Sequence, residues 1–98
     1  MKVKSKGIND FTKAELEELA ANGQVIDVRS TLERFFGKVK GATHAPLMKV
    51  SNFDGPKDKT YYVYCASGLR SQRACEELAA KGYKTVNLKG GYGSFTNK

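Results

Sequence analysis

Tryptophan is absent from this 98-residue chain, and it holds only two cysteines, two prolines and one histidine. Each scarcity removes a class of explanation. Cys65 and Cys75 are too few for a disulfide framework. With His44 as the sole histidine, no His/Cys cluster can hold zinc, and no nucleotide-binding glycine pattern follows a strand. Neither a metal nor another cofactor is expected. The longest apolar run, Tyr61 to Ala66, is far shorter than the ~20 residues a membrane helix needs, so no membrane association is expected. No basic stretch with an apolar run and cleavage site stands at the amino terminus. A cytoplasmic protein with reduced thiols is the expectation.

What is present is a globular balance, 40% hydrophobic and 28% charged, in a length that suits one domain spanning 1–98. The net charge of +7 raises the possibility of a nucleic-acid partner. The excess is spread evenly, however: nine Lys or Arg against six Asp or Glu in residues 1–49, and eight against four in 50–98. Without a basic block or a base-stacking motif, it reads as a solvated cationic surface suited to steering small anions, and nucleic acid is not expected.

Local patterns set the order of elements. Thr12-Lys13-Ala14-Glu15 is a capping box that opens a helix, which Gly23 ends. Gln24 to Val28 is short and β-branched, as a buried strand is. Ser30-Thr31-Leu32-Glu33 is a second capping box, opening a brief helix through Phe36. A short strand is expected over Thr43 to Ala45, and surface loop with one helical turn at most from Lys49 to Lys59. Tyr61 to Tyr64 suits a central parallel strand covered on both faces, with the tyrosines as sheet residues. The clearest helix runs from Ser71 to Lys81, with Ala74, Cys75, Leu78 and Ala79 on its apolar face. Thr85 to Leu88 forms a further strand before Gly90-Gly91 turns the chain. This alternation predicts an α/β fold, a mostly parallel central sheet flanked by helices on both faces.

Ligands of such sheets bind beyond the carboxyl ends of strands, and both Asp27-Val28-Arg29 and Cys65 fall there. A cysteine between a strand and a helix start sits where amides converge and the helix dipole is positive. The loop Ala66, Ser67, Gly68, Leu69, Arg70 and Ser71 adds backbone N–H groups, a permissive glycine and a fixed cation, all of which favour a thiolate. Such a thiolate can attack sulfane sulfur and hold it as a persulfide. Cys75, on an apolar helix face, reads as core packing.

Asp27-Val28-Arg29, Glu33, Gly37-Lys38-Val39-Lys40-Gly41-Ala42 and Pro46 resemble the first signature of rhodanese-like domains. Cys65 to Ser71 resembles their active-site loop, and Leu88-Lys89-Gly90-Gly91 the segment after their last strand. The resemblance spans about residues 8 to 95. It implies a rhodanese-like fold and a sulfurtransferase whose catalytic Cys65 passes sulfur from thiosulfate or a persulfide to a thiol, cyanide or protein acceptor. The partners are thus a small anionic sulfur donor and its acceptor, or a protein persulfide. It also implies that Asp27 and Arg29 support the loop, whereas Glu33 reads first as a helix cap. Family sulfurtransferases place four residues between Cys and Arg, as Ala66 to Leu69 do here; related phosphatases and arsenate reductases place five. Lys38, Ala66 and Phe95 stand where the family often has His, Arg and Trp. The alternatives are a non-catalytic rhodanese-like binding module and a thiol-based phosphatase or arsenate reductase.

Overall fold

The computed structural model describes residues 3–98, so the first two residues of the expected 1–98 span lie outside it. Five strands form one sheet in the order β1 (Lys4–Gly7), β5 (Lys84–Lys89), β4 (Thr60–Tyr64), β2 (Val25–Asp27), β3 (Thr43–His44), and every pairing is parallel. The helices are α1 (Lys13–Ala21), α2 (Thr31–Phe35), α3 (Leu69–Ala80) and α4 (Gly91–Ser94). This is the expected α/β architecture. Both predicted capping boxes are closed, Thr12 with Glu15 and Ser30 with Glu33.

Alternation along β4 explains how one sheet carries two cores. Tyr61 and Val63 pack with Ala74, Cys75 and Leu78 of α3 on one face, while Tyr64 packs with Leu16 and Ala20 of α1 and with Phe95 on the other. Cys65 continues the α3 side and is fully buried.

Three features depart from the sequence reading. β1 was not anticipated, because Lys4-Ser5-Lys6 is exposed and lacks apolar alternation; it joins the sheet through its backbone, in register with Val86 to Lys89. Lysines suit such an edge strand, since they discourage further pairing. The helical turn allowed for in the loop from Lys49 is present but starts earlier, as a 3-10 helix over Leu47–Asn52 anchored by buried Val50. Finally, α3 starts at Leu69 rather than Ser71, because Gly68 takes a left-handed conformation (φ 101°) and acts as the N-cap. Leu69, Arg70 and Ser71 are therefore the helix's first turn, whose amides have no intrahelical acceptor. Among the described residues, no helix is long and apolar enough to cross a membrane.

Candidate active site

Carboxyl ends of β2, β4 and β5 meet at one edge of the sheet and deliver Arg29, Cys65 and Gly90. The Cys65 sulfur faces the start of α3, where the Gly68 amide donates to it at 3.0 Å. Burial pushes the Cys65 thiol up. The Ser71 hydroxyl and the amides of Ser71, Gly68 and Ser67 outweigh that effect and hold it below its ordinary value. Cys75 lacks such a cradle, and burial pushes it up to about 12. Two buried cysteines thus differ because one faces a helix N-terminus and the other a hydrocarbon core.

The loop's conformation is fixed from outside. Tyr92 and Gly93 of α4 donate their amides to the carbonyls of Cys65 and Ala66, at 2.8 and 2.9 Å. With those carbonyls turned outward, the following amides turn inward. Asn87 of β5, buried, braces the same loop by donating to the Gly68 carbonyl (3.2 Å) and accepting from the Ser71 hydroxyl (2.5 Å). The Ser71 hydroxyl has a single proton; here it goes to Asn87 Oδ1, and turned to the Cys65 sulfur instead it would stabilise the thiolate. Asn87 was missed in the sequence, although a polar residue inside an apolar strand was a usable signal. Replacing Ser71 with Ala should move the pH midpoint of Cys65 alkylation upward, because one stabilising donor is lost while burial remains; an unchanged midpoint would remove Ser71 from the cradle.

Close packing behind the loop depends on glycine. A Cβ on Gly91 (φ +68°) would lie 2.5 Å from the Ala66 carbonyl carbon and oxygen. Gly91→Ala combines a left-handed backbone with a backbone collision, so it should cost about 2–4 kcal/mol in denaturant unfolding. It should also raise the pH midpoint of Cys65 alkylation as the loop shifts.

The other predicted residues fall around the mouth. Ala66 and Arg70 are half-buried, Ser67 is exposed, Gly68 and Ser71 are buried, and Leu69 is 77% exposed. Arg70 is held by Glu33 through two parallel bonds, Nη1 to Oε1 at 2.7 Å and Nη2 to Oε2 at 2.6 Å. The Arg70 guanidinium lowers the Glu33 carboxyl to about 2. Glu33 thus serves both its cap and an arginine 37 positions away. Nothing in the local sequence announces that second contact.

Asp27 and Arg29 form a buried network beside the site. Arg29 donates to both Asp27 oxygens and to the Gly37 carbonyl (2.7 Å), and its guanidinium lies over the rings of Tyr64 and Tyr92 at 5.3 and 4.8 Å. The Tyr64 hydroxyl donates to Asp27 at 2.8 Å and accepts from the Val39 amide at 3.0 Å. None of the recorded side-chain hydrogen bonds of Asp27 or Arg29 ends on residues 65–71. The pair holds the wall that carries Glu33, and reaches the loop through Tyr64, the residue before Cys65.

Residues 12–98 match the family described as rhodanese-like domain. The chain belongs to that family. Among its relatives, YtwF of Bacillus subtilis, provisionally named a sulfurtransferase, is 37% identical over 86 residues, covering 82% of each chain. A protein of Allochromatium vinosum named sulfurtransferase is 31% identical over 90 residues, covering 86% of this chain and 84% of its own. A rhodanese-like domain protein from Staphylococcus aureus superposes with a TM-score of 0.73 at 29% identity, over 98% of this chain and 94% of that one. Its crystal structure and this rhodanese-like domain share the fold along nearly their whole length.

Proposed function

We propose that this rhodanese-like domain is a sulfurtransferase that carries sulfane sulfur on Cys65 as a persulfide. Membership of the family and the sulfurtransferase names of its relatives support the reaction class. The observation that carries the assignment to Cys65 is its buried sulfur facing the amides of Ser67, Gly68 and Ser71, with a thiol held below its ordinary value. An amide cradle stabilises a thiolate, and it also suits the anionic outer sulfur of a persulfide.

In the first half-reaction the Cys65 thiolate attacks the sulfane sulfur of the donor, thiosulfate or a persulfide. A new S–S bond forms to Cys65, and the donor's own bond to that sulfur breaks, releasing sulfite or a thiolate with the electron pair. A thiol, cyanide or protein acceptor then attacks the outer sulfur and returns Cys65 as a thiolate. The loop amides and the first turn of α3 hold the charge through both steps, so no general base is required.

The test is mass spectrometry of the protein after incubation with thiosulfate or cysteine persulfide. A gain of one sulfur, localised to the peptide containing Cys65 and removed by cyanide, is the expected result. No gain with either donor, or turnover of a generic phosphoester without sulfur uptake, would overturn the assignment.

A further inference from the structure

We propose that Glu33 selects the sulfur donor: by neutralising Arg70 it disfavours thiosulfate, a dianion, and matches the site to persulfides of thiols. The proposal rests on the Cys65 persulfide reading and specifies its donor class.

Arg70 is the only cation within the loop from Cys65 to Ser71. Both its terminal nitrogens are taken by Glu33, at 2.7 and 2.6 Å. Glu33 is not free to swing away, because its Oε1 also accepts the Ser30 amide and hydroxyl, each at 3.0 Å. The helix cap therefore fixes the carboxylate, and the carboxylate fixes the arginine. Arg29 and Arg34 lie on the same wall but face the Asp27 carboxylate, at 2.9 and 3.3 Å. Arg29 and Arg34 share that one carboxylate, which leaves one net positive charge on the wall, whereas Arg70, the arginine of the loop itself, has a carboxylate of its own. The Arg70–Glu33 pair is itself partly exposed, so a donor approaching the mouth meets a neutral pair rather than a bare guanidinium.

Charge then discriminates between donors. Thiosulfate brings two negative charges to a thiolate, whereas a thiol persulfide brings one, or none when protonated. With either donor, Cys65 sulfur bonds to the transferred sulfur as the bond to its carrier breaks, and the carrier leaves with the electron pair as sulfite or as a thiolate. The persulfide can meet the thiolate without an unpaired cation, but the dianion is repelled unless Arg70 is released.

Glu33→Gln removes the charge and keeps the cap, since glutamine serves at that helical position as glutamate does. For thiosulfate, kcat/KM should rise about tenfold or more, and the gain should shrink as salt is added. For cysteine persulfide the rise should be about threefold or less. A change in the Cys65 thiol alone would raise both donors together, so the ratio isolates donor charge. Ala66→Lys provides a second route, adding a cation to the loop without disturbing the cap, and should shift the ratio the same way. Retained sulfur loading with an unchanged donor ratio in both variants overturns the role of Glu33. Failure of the wild type to load sulfur from any donor overturns the underlying persulfide reading instead.

Discussion

Cys65→Ser should lower sulfur transfer by at least about 10⁴-fold while leaving the fold intact. Serine places a hydroxyl where the sulfur sits, so the donors of Gly68 and Ser71 keep an acceptor. Its proton, however, is far less acidic than that of a thiol, and oxygen forms no stable counterpart of a persulfide. The stability change should remain within ~1 kcal/mol because shape and hydrogen bonding are nearly conserved. Cys75→Ala gives the matching control: it should lose about 1 kcal/mol from a fully buried position in the α3 core, yet keep sulfur uptake. Persistence of sulfur transfer in Cys65→Ser would place the chemistry elsewhere, whereas a large loss of stability would make the site's contribution to folding the larger one.

The same contrast between the two cysteines shows what the sequence made legible. Cys75 repeats with Ala74 and Leu78 at helical spacing, which marks a core face without any structure. Cys65 follows an apolar strand and precedes a glycine and a helix, which is enough to place its sulfur near free amides. Capping boxes at Thr12 and Ser30 were equally readable, because each is a contact between residues three apart. The Glu33–Arg70 clamp and the Asn87 brace were not, since they join residues 37 and 19 positions apart across different elements. β1 was hidden for a related reason: an edge strand paired on one side through its backbone need not show apolar alternation. α3 starts two residues before the apolar face alone indicates, because Gly68 adopts a left-handed turn that caps the helix and directs the amides at Cys65.

Asp27→Ala should be the most destabilising single change in the site's surroundings, at about 3–5 kcal/mol, because it leaves buried cations without their counter-ion. Asp27 has no exposed surface, and Arg29 is only 4% exposed. The carboxylate accepts from the Arg29 amide and side chain and from the Tyr64 hydroxyl, and it lies 3.3 Å from Arg34 Nε, a buried donor with no hydrogen-bond partner. Removing it takes the acceptor from the Arg29 amide, most of the Arg29 guanidinium and the Tyr64 hydroxyl, and leaves Arg29 only its carbonyl partners, such as that of Gly37. A loss of that size compares with the ~5–15 kcal/mol of a whole domain. The variant should therefore unfold at markedly lower urea. Asp27→Asn should fall between the wild type and Asp27→Ala, since the amide oxygen can still accept from Tyr64 or Arg29 but brings no charge. A loss below ~1 kcal/mol in Asp27→Ala would mean that Arg29 and Arg34 reach water once the carboxylate is gone. The ordering of the two variants separates the effects: equal losses would assign the cost to charge, and a much smaller loss for Asn would assign it to hydrogen bonding.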